Sequence, residues 1–439
     1  MTTHVLVGPT VSASRVREIL PGAICHPPVK HGDLLALAAS PADTVVIIDG
    51  VWHQSAPVRH KEILALLATG TTVVGAASMG ALRAAELAPY GMHGVGQVYQ
   101  DYAAGLLDAD DEVAVLHSPT GRRLSEALVN IRAALTRCTA AGVITADEAV
   151  ALLAIARRLP YDRRSWAAIG HGARTAHLTG PYDRVNLWRT TNPHDLKRED
   201  AETALHRIAE GSVPVADTDW WRGESWRTSF VRYWTAGHPA GPDGVPLLAV
   251  LQHQQLYDPR FPARWRERVL TAVGGGPADG AALLEVAAIK AAAEQGLGLA
   301  HLTAAQAAYW LTPDELLLDP NEALLRIIVR SARLDGAWTV WPATWDEAEG
   351  LLQDTRTTAA SVATAFRLNT AVEAADPRRT TAHLDPERIG RHLRDAWGLP
   401  GCATGVVLDA AARDRAFRDF TGAVEVARAF YLHSRAATA

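Results

Sequence analysis

Two β-branched runs separated by one helical pattern constrain the architecture of this chain most tightly. TVVIIDG (44–50) and TTVVGAA (71–77) are apolar along their length and lack the in–out alternation of a half-solvated strand. Such strands are buried on both faces, as in a parallel sheet covered by helices on each side. Between them, VRHKEILALLATG reads as a helix opened after Pro57 and stopped by Gly70. The alternation continues outward. HVLVG (4–8) reads as a strand, followed by Ser12 or Ser14 as the cap of a helix. MGALRAAEL (79–87) reads as a helix closed by Pro89 and Gly91, and DEVAVLH (111–117) as a further strand. LSEALVNIRAALTRCTAAG (124–142) and ITADEAVALLAIARRL (144–159) read as helices, the second opened by the capping box Thr145/Glu148.

Beyond about residue 200 the strand signals give way to Ala/Leu/Arg-rich helical periodicity broken by Pro and Gly, as in PLLAVLQHQQLY, FPARWRERVLTAV and DPNEALLRIIVRSAR. The expectation is an α/β domain over 1–205, with a mostly parallel sheet and helices on both faces, followed by an all-helical domain over 206–439. Trp220, Trp221, Trp226 and Trp234 read as packing residues of the second domain.

Composition excludes several function classes. A net charge of −5 carries no signature of nucleic-acid binding, and no apolar run approaches the length needed to span a bilayer. The first residues lack the basic segment of a signal peptide. Cys25, Cys138 and Cys402 are too few and too scattered for a disulfide framework or a zinc ribbon, which points to the reducing cytoplasm. No P-loop, GxGxxG, HExxH or CxxC occurs, so no cofactor and no metal are expected. Lysine is scarce: Lys30, Lys61, Lys197 and Lys290 stand against a large excess of arginine, and each retained lysine hints at constraint.

In a parallel sheet, functional groups gather at the carboxyl ends of the strands. That edge should present Gly8-Pro9-Thr10, Asp49-Gly50, Ser78 and His117-Ser118, with His53 and His60 close by. Ser78 is the sharpest candidate. AASMG has the small-x-Ser-x-Gly form of a nucleophile elbow, in which small neighbours permit a tight strand-to-helix turn. The helix that follows would aim its free N–H groups at an oxyanion. The alternative is an ordinary serine N-cap. A serine nucleophile needs a base, and His60, His93 and His117 are the candidates; Asp49 is the best-placed orienting acid. Arg83 and Glu86, three apart on an otherwise apolar helix, form either an internal ion pair or an anion-attracting arginine held by its partner. The run DADDEV (108–113) reads as a solvated acidic loop, with a Mg²⁺ site or a docking patch as alternatives.

Together these segments resemble the TfuA family. The matching strings are IIDGVWHQSAPVRHKEILALLATGTTVVGAASMGALRAAEL, YGMHGVGQVYQDYAAGLLDADDEVAV, SEALVNIRAAL and HDLKREDAETAL, in order over about the first 205 residues. The resemblance implies a partner of a YcaO enzyme in backbone thioamidation of ribosomally made peptides. It implies that sulfide is released from a thiocarboxylated, ThiS-like sulfur carrier and passed to the YcaO enzyme, which acts on the precursor peptide. Asp49, His60, Ser78, Arg83 and Glu86 lie within the matching blocks. A non-catalytic adaptor that activates the YcaO enzyme or presents the precursor peptide is the competing expectation.

Overall fold

The computed structural model describes residues 2–39, 42–52, 55–118, 122–213, 228–238, 244–332, 340–376, 378–403 and 405–438. His53, Trp220, Trp221 and Trp226 lie outside the described residues. The chain divides into two compact units, Met1–Trp226 and Arg227–Ala439.

The first unit is built on a five-stranded parallel sheet: β1 (Thr3–Leu6), β2 (Ile24–His26), β3 (Thr44–Ile47), β4 (Thr72–Ala76) and β5 (His93–Val95). The strand order is β2-β1-β3-β4-β5, with Val5 opposite Val46 and Val46 opposite Val74. Among the described residues ten α-helices accompany it: α1 (Ala13–Ile19), α2 (Asp33–Ala39), α3 (His60–Leu67), α4 (Met79–Leu87), α5 (Gln97–Ala103), α6 (Leu128–Ala140), α7 (Ala146–Arg158), α8 (Trp166–Thr175), α9 (Thr179–Thr191) and α10 (Leu196–Ala209). Val5, Val46, Val74 and Ala76 pack with Val16 of α1 and with Ala201, Ala204 and Leu205 of α10. The alternating residues Leu6, Val45, Ile47 and Val73 are equally buried, because successive side chains of a strand point to opposite faces. On their side, α4 packs directly against β3 and β4. Both faces are therefore covered, as the uniform apolar strands demand. The order reverses at β1, which places a topological switch point between β1 and β3.

Local signals are met where they were strongest. Ser12 caps α1 and Thr145 forms the capping box with Glu148. One expectation fails and a second is met only in part. Residues 111–117 are not a strand: Asp110–Glu112 is a 3-10 turn, and only His117 makes an isolated bridge, to Arg123. The backbone groups here are taken elsewhere. The Val113 carbonyl accepts from Lys197, the Leu116 N–H donates to Ser125 Oγ, and the Leu116 carbonyl accepts from Leu124 and Ser125. DADDEV is a solvated run only in part: Asp108 and Asp110 are exposed, but its end is not. Glu112 is buried against Arg132 through two bonds of 2.6 and 2.9 Å, and Asp111 meets the fully buried Arg164 at 2.6 Å.

The second unit is helical throughout its described residues. Its core gathers Phe261, Trp265, Leu325, Ile328, Trp341 and Phe430. Arg330, 1% exposed, is held there by Glu315 and Asp414. No described helix is long and apolar enough to cross a membrane. Among the described residues, no group of three or more His, Cys, Asp or Glu is placed to hold a metal ion.

Candidate functional site

The end of β4 is bent by a strained turn. Ala77 has φ +66° and is completely buried, and the Ser78 N–H donates back to the Ala76 carbonyl at 2.7 Å. A three-residue turn with positive φ at a non-glycine centre is rare and costs on the order of 1–3 kcal/mol. Small residues make it feasible. A Cβ on Gly80 would lie 1.7 Å from the Ile47 carbonyl oxygen, and one on Gly75 would lie 2.1 Å from the Gly80 carbonyl oxygen. The first turn of α4 thus rests on the backbone of β3 and β4, and the Gly80 N–H donates to the Ile48 carbonyl at 3.2 Å. Met79 is fully buried beneath Gly50, whose own Cβ would meet Met79 Cγ at 2.7 Å; this accounts for the methionine beside the serine.

Ser78 occupies the N-cap position of α4 at φ −128°, ψ −126°, and its hydroxyl makes no capping bond. The ordinary capping role is therefore unfilled, in contrast to Thr145 and Ser165, whose side chains do cap. The helix offers fewer donors than its position suggests. Gly80 N–H is taken by the Ile48 carbonyl and Ala81 N–H by the Ser78 carbonyl.

Ser78 lines a narrow cavity of about 50 Å³ together with Pro9, Asp49–Trp52, the segment Val113–His117 and Tyr161. The loops after β1, β3 and β4 meet there, so the cavity sits at the carboxyl edge by the switch point. Asp49 is 2% exposed and binds the loop after β1: it accepts from Gly8 N at 2.8 Å, Thr10 N at 3.1 Å and Thr10 Oγ1 at 2.6 Å. It shapes one rim of the cavity, and these bonds go to that loop rather than to a histidine.

The candidate histidines separate cleanly. His117 shares the cavity with Ser78, and its Nδ1 lies 3.0 Å from the Ser118 carbonyl. A carbonyl can only accept, so Nδ1 carries the proton and, in the neutral ring, Nε2 bears the lone pair. His60, the first residue of α3, instead meets Glu86 at 2.8 Å; Arg83 donates to the same Glu86 oxygen at 2.7 Å. His60, Arg83 and Glu86 form one cluster bracing α3 against α4, and these bonds join the three to one another rather than to Ser78 or Asp49. Burial alone would raise the Glu86 pKa, but the bonds from His60 and Arg83 bring it below its usual value. Arg83 is 8% exposed, and its Nε is buried without a hydrogen-bond partner among the described residues. His93 is the first residue of the edge strand β5, opposite Val74, and is not among the residues that line the cavity.

Tyr161 had no distinguishing signal in the sequence. It reaches the cavity from the turn between α7 and α8, which Arg164 anchors through the carbonyls of Asp111, Ala156 and Leu159. Burial raises the pKa of its phenol, with Asp162 adding to the effect.

Residues 49–165 match the family model described as TfuA-like protein. This part of the chain is TfuA-like. The TfuA-like segment begins at Asp49 and contains Ser78, His117 and Tyr161, so it supplies every lining residue of the cavity except Pro9. No curated protein matches the chain.

Proposed function

We propose that this protein releases sulfide from a thiocarboxylated, ThiS-like sulfur carrier and supplies it to a YcaO enzyme for backbone thioamidation of a ribosomally made peptide. The observation that carries the reading is Ser78: a strained turn presents its uncapped hydroxyl in a cavity that it shares with His117. A cavity of about 50 Å³ is well below the size that holds a whole small-molecule ligand, so on this reading only the terminal thiocarboxyl group of the carrier's tail enters it.

In this mechanism His117 Nε2 accepts the Ser78 hydroxyl proton as Oγ attacks the thiocarboxyl carbon. The Met79 N–H, the first of α4, is the donor assigned to the developing oxyanion. Collapse of the tetrahedral intermediate expels the sulfur, which takes the proton from His117 and leaves as hydrosulfide, so that Ser78 carries an acyl ester and His117 is neutral again. Water then attacks that ester, His117 accepts the water proton and returns it to Ser78 Oγ, and the carrier departs as its carboxylate. Asp49 keeps the Gly8–Thr10 rim in place, and the His60–Glu86–Arg83 cluster keeps α3 and α4 together beneath the turn.

The test is a reconstituted thioamidation with the YcaO enzyme, ATP, precursor peptide and either thiocarboxylated carrier or inorganic sulfide. Ser78→Ala should abolish product formation from the carrier and retain it with inorganic sulfide. If S78A supports thioamidation from the carrier as the wild type does, the hydrolytic role is lost and the adaptor reading replaces it.

A further inference from the structure

A second cavity, of about 620 Å³, is lined by α5, α6 and α10, and none of its lining residues lines the Ser78 cavity. It holds three carboxylates, Asp101 of α5 and Glu199 and Asp200 of α10, with Arg132 and Arg137 of α6 and His194 just ahead of α10. Both arginines are already engaged. Arg137 donates to Glu199 at 3.1 Å, and Arg132 donates to Glu112 at 2.6 and 2.9 Å. With Glu112 counted, four carboxylates stand against two guanidiniums.

The surplus of negative charge shows at Asp200. This residue is 5% exposed and accepts from the Gln97 N–H at 2.9 Å and the Val98 N–H at 2.8 Å. Burial, reinforced by the Glu199 and Asp101 charges, outweighs those bonds and pushes its pKa up to about 6. Asp101 accepts from Gln97 Nε2 at 2.7 Å through Oδ1, which leaves Oδ2 available.

His194 points to a ligand independently. Its side chain is 3% exposed, and its Nδ1 bonds to Glu199. A carboxylate only accepts, so Nδ1 carries the proton and Nε2 of the neutral ring bears a lone pair. That Nε2 is buried with no hydrogen-bond partner among the described residues. A buried acceptor left unmade costs free energy, which a bound donor would return. The cavity therefore offers unmet negative charge and an unmet acceptor together. An anion would oppose the first, and a neutral apolar ligand would satisfy neither. Its volume is that of a site for a whole small molecule or a short peptide segment, and no three of the described His, Asp and Glu side chains are placed to hold a metal ion.

We propose that this cavity binds an organic cation through a guanidinium or ammonium group, whose N–H donors are received by Asp101 and by His194 Nε2. The group belongs either to a free amine or to a basic side chain of a protein partner.

The experiment is isothermal titration calorimetry on the full chain at about pH 8, where the carboxylates are ionised. The probes are agmatine, spermidine, the blocked peptide acetyl-Gly-Arg-Gly-amide and its uncharged citrulline counterpart. At least one cationic probe should bind with Kd below about 1 mM, and the citrulline peptide should bind at least about tenfold more weakly than the arginine peptide wherever the latter binds. Binding of the free amines alone assigns a small-molecule cation; binding of the arginine peptide assigns a partner's side chain. Asp101→Asn and His194→Phe should each weaken the tightest probe at least about tenfold. No heat from any cationic probe at about 5 mM would overturn the proposal, as would equal binding of the arginine and citrulline peptides or unchanged affinity in either folded variant. If one variant fails to fold, the other and the citrulline comparison on the wild type still decide.

Discussion

Replacing Gly80 by alanine probes the geometry that creates the Ser78 turn. The added Cβ would stand 1.7 Å from the Ile47 carbonyl oxygen and 2.6 Å from its carbon. Real Cβ contacts essentially never fall below 3.0 Å, so the first turn of α4 must move by more than an ångström. The obstructing atoms are backbone of a central strand and cannot rotate away. Overpacking of this kind costs about 1–3 kcal/mol, and loss of the Gly80–Ile48 hydrogen bond adds about 1 kcal/mol. The better helix propensity of alanine returns about 1 kcal/mol, for a net loss of about 1–3 kcal/mol. For a unit of this size that lowers Tm by roughly 2–12 °C, measurable by circular dichroism. The effect on activity should be larger than stability alone explains. Ser78 is two residues from Gly80, and a displacement of about 1 Å in a reacting group can cost about a hundredfold in rate. Folded G80A protein should therefore release sulfide about a hundred times more slowly. A G80A variant with wild-type Tm and wild-type release would refute the packing of α4 on β3 as the origin of the turn.

Two further predictions follow from the charged groups. His117→Ala should reduce sulfide release by about 10²- to 10⁴-fold, whereas His60→Ala should lower stability by no more than about 1 kcal/mol and leave release within a few-fold; equal effects would erase the distinction between cavity base and helix brace. In the second unit, burial pushes the Glu315 pKa up, but bonds from Arg330 and from the Thr312 N–H, with the nearby Arg326 charge, bring it down to about 2. Because the folded value lies below the unfolded one, this stabilisation is complete above about pH 4.5 and fades as pH falls toward 2. It is on the order of 3 kcal/mol, and thermal unfolding between pH 7 and pH 3 should show Glu315→Gln flattening the acid limb.

The parallel sheet was legible because β3 and β4 are continuous β-branched runs, and those two strands carry Asp49 and Ser78 at their ends. β2 and β5 were not, since ICH and HGV are three residues each and show no periodicity. The segment 111–117 has the composition of a strand, but the Lys197 ammonium donates to the Val113 carbonyl and Ser125 Oγ accepts from the Leu116 N–H, which takes backbone groups that a ladder would use. His60 was expected at the serine from its place at a helix start; the pairing with Glu86 on the neighbouring helix is a tertiary fact. Tyr161 and Lys197 reach the cavity region from 83 and 119 residues beyond Ser78, a distance over which no local pattern speaks. Met79 had no rationale in the sequence and gains one only from its contact with Gly50.

The most direct measurement is sulfide release by the purified protein from thiocarboxylated carrier alone, with no YcaO enzyme present. The wild type should liberate sulfide and convert the carrier to its carboxylate, with S78A slower by a factor on the order of 10³ or more. A wild-type protein that leaves the carrier intact, or an S78A variant that releases sulfide at the wild-type rate, would contradict a hydrolytic role for the Ser78 cavity.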